Sequence, residues 1–245
     1  MPVPDSRRIA VAIFVAIVAS FGLFAARPGL DGAVAGWFYY TTAKGGHFLA
    51  ERIGWVEVLR DTLWGATLLG FLWAVAALVV GVAQRRQTIW GYPLRLWAYL
   101  AAVYVAGPAL LVNGVLKAHW GRARPYQLGD FGGEALFTPF WKITDQCQRN
   151  CSFVSGEVAG TTALAVLILV LAWQHRPALS GPKRGAMAAL AAALPVLVAL
   201  QRMAVGRHFL SDCVLALLFT AFLAAVLYRP IVGPGGAGGG GPAAP

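Results

Sequence analysis

Six long stretches of this sequence are almost free of charge, and they decide what the chain can become. A helix needs about 17–25 apolar residues to cross the hydrocarbon core of a bilayer. Three runs meet that length outright: Ile9–Ala26, Thr62–Ala83 and Leu96–Leu116. Three more are shorter or carry one polar residue: Val158–Trp173, Gly185–Gln201 and Phe209–Tyr228, the last with Asp212 near its start. The fourth is long enough only if it starts near Ser155. Pro108 and Pro195 fall inside spans and are expected to kink them. The first run follows Arg7 and Arg8, as in a cleaved signal peptide, but is longer than the usual apolar region of one and is read as a span. The expected fold class is all-α, a polytopic membrane protein built as a six-helix bundle.

Composition excludes the alternatives. Of 245 residues, 58% are hydrophobic and 12% charged, about half the charged share of an average soluble domain. Such a chain has too little polar surface to be a soluble globule and too much apolar content to be disordered. The net charge of +10 would suggest nucleic acid in a soluble protein, but here it is a topology signal. Six spans put both termini on one side, with Arg7, Arg8, Arg85, Arg86, Arg95, Arg176, Lys183, Arg184 and Arg229 against a single acid, Asp5. The remaining eleven basic residues and nine acids nearly cancel. The positive-inside rule places the crowded side in the cytoplasm. No nucleic-acid partner is called for; the bilayer is the expected partner.

The domain expectation is a short cytoplasmic N-terminus (1–8), one membrane domain (9–228) with outer loops at 27–61 and 117–154, and a tail (229–245). From Gly233 that tail is Gly, Pro and Ala only and reads as a disordered linker. Short helices lying on the membrane are expected in 27–61, where Trp37, Tyr39, Tyr40 and Trp55 form an interfacial belt or simply pack on the helices. Cys147 and Cys151 share the second loop, on the side where a disulfide can persist; metal binding by the pair is the alternative, without a second ligand pair nearby. Cys213 reads as a small buried hydrophobe.

Ionisable groups at membrane depth are costly, so each is a functional candidate. Lys117 ends the third span, Glu157 starts the fourth, Arg202 ends the fifth, and His208 with Asp212 starts the sixth. All five therefore meet at one depth, on the outer face. Lys117 and Arg124 are two helical turns apart and share a face if the helix continues, which Pro125 discourages; a snorkelling anchor is the plainer reading. Ser155 and Gly156 open a helix, whose free N–H groups suit an anion, though an ordinary N-cap has the same look. His208 and Asp212, four apart, fit a carboxylate that accepts one ring N–H and leaves the other nitrogen free to attack. Arg202 needs a break at Gly206 to rejoin that face. Arg122, Arg207 and His119 are given supporting roles at most, and His47 and His175 are read as plain polar residues.

These residues resemble the membrane branch of the type-two phosphatidic acid phosphatase superfamily. Its motifs are Lys-x6-Arg-Pro, Pro-Ser-Gly-His and Ser-Arg-x5-His-x3-Asp. This sequence has Lys117…Arg124-Pro125, Val154-Ser155-Gly156-Glu157 and Gln201-Arg202…His208…Asp212, in the same order and with the same spacings. The resemblance implies that Lys117, Arg124, Arg202, Ser155 and the Gly156 N–H bind the phosphoryl oxygens. It further implies that His208 forms a phosphohistidine supported by Asp212, and that no cofactor or metal is needed. Glu157 replaces the histidine that protonates the leaving oxygen; it can do so only if burial outweighs the neighbouring cations. The implied activity is removal of phosphate from a membrane lipid at the periplasmic face of a bacterial inner membrane. The substrate would be lipid A, undecaprenyl diphosphate or a phosphatidyl-type phosphate, and the Ser-Phe-Val-Ser-Gly and Gly-Arg-His-Phe-Leu-Ser-Asp stretches resemble lipid A phosphatases most. Two alternatives stay open: a catalytically degenerate lipid-phosphate binding or transport protein, and a phosphotransferase with a lipid or sugar acceptor.

Overall fold

The structure, a computed structural model, describes residues 5–43, 45–175 and 178–233. Arg176 and the tail beyond Gly233 lie outside them. Among the described residues, six helices are long and apolar enough to cross a membrane. They are α1 (Ser6–Ala26), α3 (Gly54–Ala83), the rod α4 (Leu94–Tyr104) to α5 (Lys117–His119), α6 (Gly156–Gln174), α7 (Gly181–Ala204) and α8 (Leu210–Val232). A short α2 (Leu30–Gly36) and the antiparallel pair β1 (Tyr39–Thr42) and β2 (Gly45–Phe48) occupy the first connection. The strands β3 (Thr88–Ile89) and β4 (Tyr92–Pro93) turn the chain between α3 and α4.

The six expected spans are present, with shifted ends. The second begins at Gly54 rather than Thr62, because Glu57, Arg60 and Asp61 sit on two further helical turns. The last continues to Val232, so residues 229–232 are helix and not tail. Pro195 lies within an unbroken α7. Pro108 sits in a π-helical stretch, Val105–Leu116, between α4 and α5, in which Asn113 donates its amide to the Pro108 carbonyl at 2.7 Å. The proline thus falls in a stretch with the wider i to i+5 spacing.

The bundle is centred on α6, which packs against α3, α4, α7 and α8. Its first turns carry Gly156, Ala159, Gly160 and Ala163, small residues that let neighbouring backbones come close; a Cβ at Gly160 would stand 2.9 Å from the Thr67 methyl. By contrast α1 packs mainly on α8, with Phe14 against Phe222 and Phe21 against Phe219, and turns Val11, Val15 and Val18 outward. Below the site, Val112, Leu116, Phe153, Val158 and Leu215 form a tightly buried cluster.

The first connection does not merely lie on the membrane. Phe48 is buried against Tyr39 and Phe131, and Ala50 N–H bonds to the carbonyl of Ala204 at 3.1 Å. Trp37 and Trp55 stay exposed, whereas Tyr39 packs inward. The Phe48 ring covers Gly206, whose φ of +66° makes the turn from α7 into α8 and leaves no space for a Cβ. The second connection is pinned by Trp120 Nε1, which donates to the Phe140 carbonyl at 2.5 Å, and by the Ser152 N–H, which donates to the Arg122 carbonyl at 2.9 Å.

Candidate active site

Five of the residues singled out from the sequence, Lys117, Arg124, Gly156, Glu157 and Arg202, line one cavity of about 390 Å³ at the end of the bundle where α5 and α7 end and α3, α6 and α8 begin. Glu57, Arg60, Trp64, Asn113, Asn150 and Arg207 complete its wall. Lys117 and Arg124 reach it by different routes. The helix stops at His119, Gly121 takes φ +66°, and Arg124 arrives on extended backbone with φ −84° and ψ 156°. The shared helix face expected of this pair is therefore replaced by a turn. Arg124 is then oriented by Asn150, whose carbonyl accepts from Nε at 3.1 Å and from Nη2 at 2.6 Å. Cys147 and Cys151 are bonded to each other on either side of Asn150.

Ser155 caps α6, accepting the Val158 N–H at 3.4 Å, and its own N–H donates to the Asp212 carbonyl at 3.2 Å. It is fully buried, as are His208 and Asp212, and none of the three is among the residues lining the cavity.

The His208 environment corrects one expectation. His208 precedes α8, whose N-cap is Phe209, so the four-residue spacing to Asp212 is not a helix-face pair. Its Nδ1 bonds to the Ser152 carbonyl at 2.8 Å and lies 3.8 Å from Asp212 Oδ2. A carbonyl only accepts, so Nδ1 carries the proton and Nε2 keeps its lone pair. Burial, together with the Lys117 charge, lowers the His208 pKa to about 4 despite Asp212, so the ring is neutral at physiological pH. Asp212 faces the ring directly at 3.8 Å and also through Ser152, accepting the Ser152 hydroxyl at 2.5 Å and the Phe209 N–H at 2.9 Å.

Sequence reasoning undervalued Arg122 and missed Asp31, Ser152 and Ser211. Arg122 is fully buried. It donates to Asp212 Oδ1 at 2.6 Å, Asp31 Oδ2 at 2.8 Å, Ser211 Oγ at 2.9 Å and the Thr138 carbonyl at 3.0 Å, and lies 4.2 Å from the Phe209 ring centre. Burial alone would pull its guanidinium down, but Asp212 and Asp31 outweigh that and hold it above its ordinary value. The available signal was a lone acid, Asp31, in the otherwise uncharged stretch Pro28–Ala43. Among the described residues, no three His, Cys, Asp or Glu side chains gather to hold a metal ion.

The PAP2 superfamily model matches residues 95–232, more than half of the chain. The chain belongs to the PAP2 superfamily. A lipid A 4'-phosphatase of Rhizobium leguminosarum is 33% identical over 218 residues, covering 85% of this chain and 90% of that one. A second, from Francisella tularensis subsp. novicida, is 30% identical over 207 residues, covering 82% and 86%. The crystal structure of a transmembrane PAP2-type phosphatidylglycerolphosphate phosphatase from Bacillus subtilis aligns with a TM-score of 0.54 at 22% identity, over 89% of this chain and 93% of that one, and shows the shared fold. This PAP2 protein is accordingly a multi-pass membrane phosphatase of the bacterial type, a phosphoric monoester hydrolase.

Glu157, where the superfamily motif has histidine, does not have the surroundings of a proton donor. Arg60 Nε donates to Oε1 at 2.8 Å, and Arg202 Nη1 donates to Oε1 at 3.1 Å and Oε2 at 3.3 Å. Glu157 is an acceptor in each of these side-chain contacts, whereas a general acid must carry a proton. Arg60 belongs to none of the three motifs; it comes from the two helical turns by which α3 exceeds the expected span.

Proposed function

We propose that this PAP2 phosphatase removes a phosphate monoester from a lipid A-type glycolipid at the periplasmic face of the inner membrane, by way of a phosphohistidine. The carrying observation is the convergence, at one end of the bundle, of a cation-rich cavity with a buried histidine whose Nδ1 is held by a backbone carbonyl, which leaves Nε2 free. Lys117, Arg124, Arg202 and the Gly156 N–H take the phosphoryl oxygens and offset the charge gathering on phosphorus. Ser155 acts as the cap that points this N–H outward. His208 Nε2 attacks in line, and the ester oxygen leaves with its electron pair and takes a proton from water in the open cavity. The hydroxide so formed attacks phosphorus, returns the electron pair to Nε2 and releases inorganic phosphate. Glu157 holds Arg60 and Arg202 at the cavity.

Two observations support the substrate and the orientation. The lipid A 4'-phosphatases match most of the chain at 30–33% identity. The basic residues Arg7, Arg8, Arg85, Arg86, Arg95, Lys183, Arg184 and Arg229 lie at the helix ends opposite the cavity, as positive-inside topology requires. The test is a panel of detergent-solubilised lipids scored by phosphate release. Release from 4'-phosphorylated lipid A is the expected outcome; release from phosphatidic acid or phosphatidylglycerol phosphate but not from lipid A would refute the assignment.

A further inference from the structure

Asp31 lies on α2, in a connection that the sequence marked only for its aromatic residues. Its carboxylate is buried, and its bonds lead toward the histidine. Oδ1 accepts the Ser211 N–H at 2.9 Å, while Oδ2 accepts the Ser211 hydroxyl at 2.5 Å and Arg122 Nη2 at 2.8 Å. Ser211 is the second residue of α8, and Phe209, the N-cap, has no side-chain acceptor to offer. Asp31 thus caps α8 from a segment 180 residues away and places a negative charge where a helix start favours one. On the far side of the same guanidinium stands Asp212, then the Ser152 hydroxyl, and the Ser152 carbonyl holds His208 Nδ1.

Two features of this chain exceed what packing needs. One guanidinium is shared by two carboxylates, all fully or almost fully buried, which leaves a formal charge of −1 within the cluster. A structural ion pair needs one carboxylate, and desolvating a second is costly unless it offsets a positive charge nearby. Lys117 supplies part of that charge opposite Asp212, and more arises on the imidazole when Nε2 bonds to phosphorus while Nδ1 keeps its proton. The network also uses all three polar groups of Ser152: its N–H is tied to the Arg122 carbonyl, its hydroxyl to Asp212, and its carbonyl to the ring. A shift of Arg122 is therefore transmitted to the histidine.

We propose that Asp31 is a positioning residue for phosphoryl transfer, holding Arg122 and the start of α8 so that Asp212 and Ser152 orient His208 and offset the charge of its phosphorylated ring. The proposal rests on the phosphohistidine reading. Bond making and breaking are those given above; Asp31 exchanges no proton and touches no substrate.

The test compares the full chain in detergent with Asp31→Asn and Asp31→Glu, using 4'-phosphorylated lipid A in mixed micelles and inorganic phosphate as the product inhibitor. For Asp31→Asn, kcat should fall about tenfold to a hundredfold, as when the partner that orients a working histidine is removed. KM and inhibition by inorganic phosphate should stay within about twofold, because the cavity cations are untouched. Asp31→Glu should regain part of kcat. An unchanged kcat overturns the proposal. So does a joint collapse of kcat and inorganic phosphate binding that Asp31→Glu does not relieve, since that marks a structural residue. If Asp31→Asn does not survive extraction, Ser211→Ala decides: it removes the hydroxyl shared by Asp31 and Arg122 and keeps every charge. A fall in kcat alone supports the proposal, and an unchanged kcat overturns it. His208→Ala separates the layers. Turnover by that variant sinks the phosphohistidine reading itself, whereas a dead His208→Ala beside a fully active Asp31→Asn sinks only the role of Asp31.

Discussion

Replacing Arg122 by methionine is the severest single test of how this site is held together. The guanidinium is fully buried and satisfies two carboxylates, a hydroxyl and a carbonyl at 2.6–3.0 Å. Methionine keeps much of the volume and the contact with Phe209 but strands Asp31 and Asp212 without a counter-charge. Removing one partner of a buried ion pair costs about 3–5 kcal/mol, and with two carboxylates left behind the upper end, about 5 kcal/mol, is expected. For a chain of this size that corresponds to a fall in apparent Tm of about 10–20 °C. The assay is thermal loss of the monodisperse peak of detergent-solubilised protein in fluorescence-detected size-exclusion chromatography. A second variant supplies the sign. Asp31→Asn destabilises the wild type but should stabilise Arg122→Met, because it removes one of the stranded charges; a coupling of about 1–3 kcal/mol is expected between groups in direct contact. An Arg122→Met protein melting within about 2 °C of wild type, well inside the shift expected here, would refute the reasoning. So would an Asp31→Asn effect of equal size and sign in both backgrounds.

Other outcomes follow from the same geometry. Glu157→Gln should lower kcat/KM about tenfold or more through loss of its charged bonds to Arg60 and Arg202, and by the same factor for a lipid monophosphate and an activated aryl phosphate; selective slowing of the poor leaving group would instead make Glu157 the acid. Replacing Cys147 and Cys151 by serine releases the short turn that presents the Asn150 carbonyl to Arg124. Closing so small a loop contributes about 2 kcal/mol, so apparent Tm should drop modestly and KM should rise more than kcat falls; an unchanged KM would dissociate the turn from substrate binding. His208 must be neutral to attack and is held so down to about pH 4, so the acid limb that it contributes to kcat/KM should lie near 4 and not near the ordinary histidine value of about 6.5. The same shift acts on stability in the same direction but over a higher pH window. The unfolded chain binds a proton on His208 below about 6.5 while the native chain does not, so its contribution to stability is lost as pH falls from 6.5 toward 4. A limb near 6.5 would show that His208 titrates as an exposed ring.

What was legible in the sequence, and what was not, divides along one physical line. Apolar runs announce themselves, because a bilayer tolerates little else, and the spans, their number and the common depth of Lys117, Glu157, Arg202, His208 and Asp212 followed from that. The start of α3 was hidden by the same logic. Glu57, Arg60 and Asp61 look like the end of a membrane segment, yet Glu57 and Arg60 face the cavity, where charge has a use. Local spacing also misled at His208 and Asp212. Four residues imply a helical pair only if both are in the helix, and the N-cap at Phe209 leaves His208 outside it, facing the Ser152 carbonyl. Asp31 and Ser152 were out of reach for a different reason. Their partners lie 180 and 60 residues away, and no periodicity encodes a meeting of two connections over the end of a bundle.

The central claim is that His208 carries the phosphoryl group, and the most direct measurement is to trap it. Wild-type protein mixed with 4'-phosphorylated lipid A labelled in the phosphate and quenched in alkali should hold label that survives base and is lost in mild acid, as a phosphoramidate does. Peptide mapping should place it on His208, and His208→Ala should show neither label nor turnover. Steady turnover by the wild type with no trappable label, or label and turnover persisting in His208→Ala, would contradict the account.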